Sequence, residues 1–275
     1  MAALRLLIRL PLMILILSIT AIIAILFLVA DLVTGQPFNR SPVARVCFKS
    51  CCRCIGVRIH ESGPLPRGPA LLLSNHISWT DIPVLGGLMK VRFLSKAEVG
   101  NWPLVGWLAR QAGTLFIKRG SGEAAEKRDD IRRTLEAGES VLIFPEGTTS
   151  AGLTVLPFFP RLISAATAAD VPIVPVSIAY LREGDPCHIA PFIGDDEFHH
   201  HLMRMLAAPA PSAHVTWHQP VVPQPGESAR DLSNRVRDVI VEGLRHSHQE
   251  AGVRGCPAAT SSSVASRTEM ISRSK

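Results

Sequence analysis

Apolar residues fill Pro11 to Ala30 (PLMILILSITAIIAILFLVA) without a single charge. At ~1.5 Å per helical residue the run is long enough to span the ~30 Å hydrocarbon core of a bilayer. No small-x-small cleavage site follows it, so residues 1–34 are expected to be a retained membrane anchor and not a cleaved leader. Arg5 and Arg9 precede the run, and Arg40, Arg45 and Lys49 follow it. With basic residues on both flanks, the positive-inside rule favours neither orientation. A segment that bends near Ser18-Ile19-Thr20 and returns to the same leaflet satisfies both flanks; a plain crossing satisfies one.

Beyond the anchor the apolar residues come in short bursts. Pro42 to Ile55 mixes basic and apolar positions at helical spacing, which predicts a basic helix lying at the interface over 35–56. VRIHES, ALLLSNH, VRFLSK, TLFIKR, SVLIFPEG, VPIVPVSIAYL and AHVTWHQPVV are apolar stretches bounded by turn residues, and predict strands. Helical segments are expected between them: 80–89, 101–113, a polar helix opened by Ser121 or Gly122 and stopped by Gly138, 160–169, 195–206 and 228–250. The last carries Leu232, Val236, Val239, Ile240 and Leu244 on one face. Strands alternate with helices, and most strands are uninterrupted apolar runs. That predicts an α/β fold over 57–251, with a single mixed, mainly parallel sheet flanked by helices. Residues 252–275 are rich in Ser and Ala, lack periodicity and are expected to be disordered.

Composition narrows the partners. The 275-residue chain is 47% hydrophobic and 19% charged, with a net charge of +6. A basic surplus suits an anionic partner. No zinc-finger spacing, RNP-type aromatic segment or long basic run is present, so nucleic acid is set aside in favour of membrane lipids or a small anionic substrate. Cys47, Cys51, Cys52 and Cys54 crowd together without a second ligand pair, and read as small apolar residues in a reducing compartment. His199, His200 and His201 would splay around a helix and read as solvated surface. No metal is expected.

The chemistry gathers where strands end. In open α/β sheets ligands sit at the carboxyl ends of the strands, and SNHISWTD, IKRG and PEGTTS each follow an apolar run. His76 and Asp81 are five residues apart, roughly 140° on a regular helix. They can meet if His76 lies in a strand-to-helix turn and Asp81 in the first helical turn, where Pro83 and the helix dipole suit a start. Asp81 would then hold one imidazole nitrogen and leave the other as a general base, with the substrate bringing the hydroxyl. No G-x-S-x-G elbow occurs. Lys118 and Arg119 close a strand on alternate sides, and a guanidinium at Arg119 can grip a phosphate with two bonds. Glu146, Gly147 and Thr148 offer a carboxylate, backbone N–H groups and a hydroxyl in one tight turn, suited to a polyol or headgroup. Taken singly, each of these reads first as an ordinary cap, turn or edge charge. The two prolines of VPIVPVSI fit either a bulge shaping an acyl pocket or a kinked core strand. Trp102 and Trp107 suit an acyl pocket, a membrane contact or plain packing.

NHISWTD, FIKRG, FPEGTTS and VPIVPV, in this order between Leu71 and Ile178, resemble the four blocks of the glycerolipid acyltransferase family, and the later GDDEFHHHL is similar to it as well. The resemblance implies transfer of a fatty acyl group from acyl-CoA or acyl-carrier protein to a lysolipid hydroxyl, without a cofactor, at the cell membrane with the catalytic domain facing the cytoplasm. It implies His76 as base and Asp81 as its orienting partner. Arg119, with Lys118, would bind the acceptor's phosphate, and Glu146, Gly147 and Thr148 would position the acceptor. Backbone amides near a helix start are expected to hold the oxyanion. The family's commonest acceptor, 1-acyl-glycerol-3-phosphate, is placed first. One departure points elsewhere: many phosphatidate-forming members read F-P-E-G-T-R-S, and Thr149 stands where that arginine would be. The F-P-E-G-T-T-S form with G-D-D downstream is similar to bacterial enzymes that acylate lyso-ornithine lipid. A thioesterase or lysolipase using the same dyad on water, and a non-catalytic lipid-binding protein, are the rival classes.

Overall fold

The structure, a computed structural model, describes residues 1–118, 124–250 and 252. The expected tail from 253 onward and the expected helix opening at Ser121 or Gly122 lie outside the described residues.

The chain begins with α1 (Ala2–Thr34), followed by α2 (Ser41–Ile55). α1 runs unbroken through Ser18–Thr20, so the bend considered there is absent; the Thr20 hydroxyl simply bonds back to the Ile16 carbonyl at 2.8 Å. Leu6, Leu10, Met13, Leu17 and Ala24 form one stripe turned toward the protein, while Leu7, Ile14, Leu15, Ile22, Leu26 and Val29 are exposed. By length and composition α1 can cross a membrane. At its start, Arg9 donates to the carbonyls of Leu206 and Ala208 at 3.1 and 2.9 Å. Cations at the end of a helix are favoured by its exposed carbonyls and dipole. α2 is more than an interfacial helix. Cys51, Cys52, Cys54 and Ile55 are buried, so the cysteine cluster is an inner packing face of free thiols.

The remaining elements are β1 (Arg58–Ser62), β2 (Leu71–Ser74), α3 (Asp81–Leu88), β3 (Arg92–Lys96), α4 (Ala97–Gly100), α5 (Val105–Gln111), β4 (Leu115–Ile117), α6 (Ala124–Glu136), β5 (Val141–Ile143), α7 (Ser164–Ala168), β6 (Ile173–Arg182), β7 (Asp185–Pro186), α8 (Phe198–Ala207), β8 (Ser212–Trp217) and α9 (Ala229–Glu250). The described strands form an eight-stranded sheet in the order β1-β8-β6-β2-β5-β3-β4, with β7 beside β6. Pairing is parallel except β6–β8 and β6–β7. This is the mixed, mainly parallel sheet that uninterrupted apolar strands imply. β2, β5 and all but the last residue of β6 are buried, because both faces are covered. Leu72, Leu142, Val176 and Ile178 point to the core under α2, α3 and α8; Leu71, Leu73, Val141 and Ile173 point to the core under α6 and α9. On α9, Leu232, Val236, Ile240 and Leu244 are buried.

Two elements differ from the pattern-based expectation. The helix expected over 101–113 is shortened to α5, Val105–Gln111, and a separate short helix, α4, precedes it and ends at Gly100. Pro103 cannot donate a helical N–H, and Leu104 takes a positive φ of 56° in the intervening turn. The helix expected over 160–169 is a 3-10 turn at Pro160–Leu162 followed by the short α7. VPIVPV forms a central core strand, and its residues are absent from the large cavity described below. Pro175 sits one position beyond the last β6–β8 pair, Val176 with Trp217; its carbonyl accepts the His218 N–H at 3.0 Å but it has no N–H to return, and pairing resumes only as an isolated Ile173–Val221 bridge.

Candidate active site

β2 ends at Ser74, and six residues lead into α3. Asn75 pins this turn to the sheet: its side chain donates to the Ile178 carbonyl and accepts the Ile178 N–H, both at 2.9 Å. The turn brings His76 Nδ1 to 2.7 Å from Asp81 Oδ2. The same oxygen accepts the N–H groups of Ile77 at 2.7 Å and Ser78 at 3.0 Å. Asp81 has no exposed side-chain surface, whereas the His76 side chain is 18% exposed. A fully buried carboxylate is tolerable because donors converge on it. The geometry puts the imidazole proton on Nδ1, donated to Asp81, and leaves Nε2 as an acceptor. The His76 ring stacks on Phe144, with centroids 4.0 Å apart at 13°. On the far side of Asp81, the Thr80 hydroxyl lies 2.9 Å from the Tyr180 phenol. Burial, with the Asp81 charge, raises the Tyr180 pKa well above its usual value and keeps it protonated.

The turn after β5 closes on this loop from the neighbouring strand. Gly147 adopts a φ of 69° and donates to the Phe144 carbonyl at 3.0 Å. Glu146 accepts the His76 N–H at 2.7 Å on one oxygen and the Leu156 N–H at 2.9 Å on the other. It is 3% exposed. Burial pushes its pKa up to about 7, against the pull of those two N–H groups. The Ser150 N–H in turn reaches the His76 carbonyl at 2.8 Å. Gly152, at a φ of 74°, leaves room for Ile77; a Cβ there would meet the Ile77 side chain at 2.6 Å.

His76 opens onto a cavity of about 1220 Å³, above the ~300–1,000 Å³ usual for small-ligand pockets. Its wall is mostly apolar, from Leu17, Ala24 and Phe27 of α1, through Cys47 and Phe48 of α2, to Trp102, Val105 and Leu108. Charged lining comes from Arg40, Lys96, Glu98, Lys118 and Arg161.

The structure therefore brings His76, Asp81, Glu146, Gly147 and Thr148 to one end of the sheet, with Lys118 on the same cavity wall. Gly147 and Thr148 line the cavity; Glu146 does not, and is turned under the His76 loop. Arg119 lies outside the described residues. The Thr149 hydroxyl is spent on the Phe192 carbonyl. The N–H groups of His76, Ile77, Ser78 and Asp81 are all committed to Glu146, Asp81 or the Ser78 carbonyl, so these first amides before α3 are not open to an oxyanion as expected. Of the histidine run, His199 and His200 are exposed with Glu197, but His201 is fully buried, which corrects the surface reading. Sequence reasoning passed over the Phe144 stack, Gly152 and His201. The last was signalled: Phe198, His201, Leu202, Met205 and Leu206 follow helical i, i+3, i+4, i+7, i+8 spacing.

The Acyltransferase family model matches residues 56–179. A curated lyso-ornithine lipid O-acyltransferase from Pseudomonas aeruginosa is 42% identical over 73% of this chain and 78% of its own length. A 1-acyl-sn-glycerol-3-phosphate acyltransferase from Neisseria gonorrhoeae is 32% identical over 54% of this chain and 60% of its own. The crystal structure of a 1-acyl-sn-glycerophosphate acyltransferase from Thermotoga maritima superimposes with a TM-score of 0.60 at 22% identity, covering 90% of this chain and 97% of that one.

Proposed function

Because this chain belongs to the acyltransferase family, we propose that it moves a fatty acyl group from a thioester, acyl-CoA or acyl-carrier protein, to the hydroxyl of lyso-ornithine lipid. His76 Nε2 takes the proton of the acceptor hydroxyl as its oxygen attacks the thioester carbonyl. The Nδ1–H bond to Asp81 stabilises the imidazolium that forms. The tetrahedral intermediate then expels the thiol, which leaves with the proton from His76. The observation that carries this reading is the 2.7 Å His76–Asp81 pair opening onto a large apolar cavity.

The sequence placed 1-acyl-glycerol-3-phosphate first among acceptors. Two observations weigh the other way. A relative 42% identical over 73% of this chain and 78% of its own length acylates lyso-ornithine lipid by name. Thr149, at the position of the arginine in F-P-E-G-T-R-S, carries no charge, and its hydroxyl is engaged within the protein. An amide-linked ornithine presents a carboxylate and an ammonium instead of a phosphate. Lys96, Lys118 and Arg161 suit the first, and Glu98 on the same cavity suits the second. Lys118 also suits a phosphate, which keeps 1-acyl-glycerol-3-phosphate as the second reading. α1 would hold the protein on the cytoplasmic face, where acyl thioesters are made.

The test supplies membranes containing the protein with one labelled acyl thioester and a panel of lysolipids. Labelled ornithine lipid is the expected product. Labelled phosphatidate alone overturns the acceptor, and free fatty acid in place of diacyl lipid overturns transfer itself.

A further inference from the structure

Trp79 stands three residues after His76, and its ring forms part of the cavity wall beside Phe198 and Trp102. The Phe198 ring is the hub of this wall, 5.3 Å from Trp79 and 4.8 Å from Trp102 by centroids. The indole N–H of Trp79 donates to Nδ1 of His201 at 2.9 Å. Nε2 of His201 lies 3.1 Å from the Pro191 carbonyl. An indole can only donate and a carbonyl can only accept, so His201 is fixed as the neutral tautomer with its proton on Nε2. His201 has no exposed surface and does not line the cavity. The Phe192 ring meets it edge-on at 5.3 Å, and the Phe192 N–H donates to the Ile77 carbonyl at 3.0 Å. One buried imidazole thus joins α8, the 191–192 segment and the loop that carries His76.

Nothing in the acyl-transfer chemistry requires these contacts, yet they immobilise a wall element carried on the same loop as the base. We propose that His201 is a positioning residue that locks Trp79, and that the locked indole selects which acyl chains can present their thioester carbonyl to His76. The inference rests on the acyl-transfer reading of the site. Without an acceptor at position 201 the indole N–H must seek water, the ring leaves its place and the wall beside His76 widens. Selection among chains then weakens while proton transfer, which runs through His76 and Asp81, persists.

The test uses the full chain in detergent micelles with thioesters of increasing chain length. Wild type, His201→Leu, His201→Asn, Trp79→Phe, Trp79→Phe/His201→Leu and Trp79→Phe/His201→Asn are compared by kcat/KM for each donor. In His201→Leu the ratio between best and worst donors should fall about tenfold, the scale on which a pocket discriminates methylenes. His201→Asn should restore the ratio, because its carbonyl replaces Nδ1 as acceptor. In the Trp79→Phe background, His201→Leu should change the ratio no further, since the two residues act as one unit. The emission difference between wild type and Trp79→Phe isolates this indole from the other tryptophans. Measured in the His201→Leu background it should move to the red, and in His201→Asn it should stay in place. Equal loss of kcat/KM for every donor with additive double-mutant effects overturns the proposal, as does an unshifted Trp79 signal in His201→Leu. A wild type that releases fatty acid without acylating any lysolipid instead overturns the acyl-transfer reading, and the proposal with it.

Discussion

Replacing Glu146 by Gln tests what the Phe-Pro-Glu-Gly turn does. In the structure both carboxylate oxygens accept backbone N–H groups, from His76 at 2.7 Å and Leu156 at 2.9 Å, and the side chain is absent from the cavity wall. A glutamine has one oxygen, so it can keep one of these bonds; its NH2 then faces the other N–H. A buried donor left unpaired costs ~1–3 kcal/mol. If that strain is relieved by moving the His76 loop, kcat should fall by about ten- to a hundredfold, at 1.36 kcal/mol per decade. KM for the lysolipid should hold nearly constant, because the carboxylate touches the loop and not the acceptor. The pH profile adds a second readout. With a pKa of about 7, Glu146 accepts both bonds only when ionised, so wild-type kcat should gain an inflection as pH rises through about 7. Glu146→Gln should lose that inflection. Steady-state kinetics with a saturating thioester and a varied lysolipid decide the matter. A raised lysolipid KM with unchanged kcat would refute the positioning argument and return Glu146 to direct acceptor binding.

Other outcomes follow from the same geometry. Asp81→Asn should lower kcat by about 10²–10⁴-fold, the range for a positioned general base, with the thermal midpoint near that of wild type. The Glu146 pKa also carries a stability prediction: raised from 4.5 to about 7, it stabilises the folded state fully below pH 4.5 and loses that contribution as pH rises through about 7. Wild type should therefore lose about 3 kcal/mol of stability relative to Glu146→Gln as pH rises across that window, read from chemical denaturation in detergent. Gly243→Ala should destabilise by about 1–3 kcal/mol through overpacking despite better helix propensity, because its Cβ would clash with the His218 ring and meet Ser177 at 2.6 Å. A raised thermal midpoint in that variant would contradict the packing of α9 on β6.

Some of this was legible in the residues and some was not, for identifiable reasons. Strands such as Leu71–Ser74 and Val141–Ile143 announce themselves because both faces are buried, and an unbroken apolar run fits little else of that length. The His76–Asp81 spacing is legible because a strand-to-helix turn is the geometry that lets those side chains meet. The partners of Glu146 were hidden, since backbone N–H groups are present at every residue and carry no letter. The expectation that Glu146 faces the acceptor treated a carboxylate near a site as a carboxylate in it. His201 was hidden by treating adjacent histidines as equivalent, although helical spacing sets it apart from His199 and His200. The order of the sheet, with β6 between β2 and β8, rests on long-range pairing that no local pattern encodes.

The anchor was ambiguous because both of its faces are apolar, and only packing tells them apart. Its inner stripe runs from Arg5, whose guanidinium lies 3.4 Å from the Ala207 carbonyl, to Phe27 on the cavity wall. At ~1.5 Å per residue that docked length exceeds the ~30 Å hydrocarbon core. A helix crossing the bilayer with this stripe in place would drag α2, which packs along it from Arg40 beside Asp31 to Cys54 beside Arg9, into the hydrocarbon with Arg45 and Lys49. Charges at such depth are expensive. In one leaflet, α1 would turn its exposed side chains to lipid and its stripe to the cavity, and a lysolipid would reach His76 without leaving the membrane. Both chain termini should then sit on the same side. Epitope tags at each end, challenged with protease outside intact spheroplasts, should both survive. Digestion of the amino-terminal tag alone would mean that the helix crosses, and that its docking on α8 comes apart in the membrane.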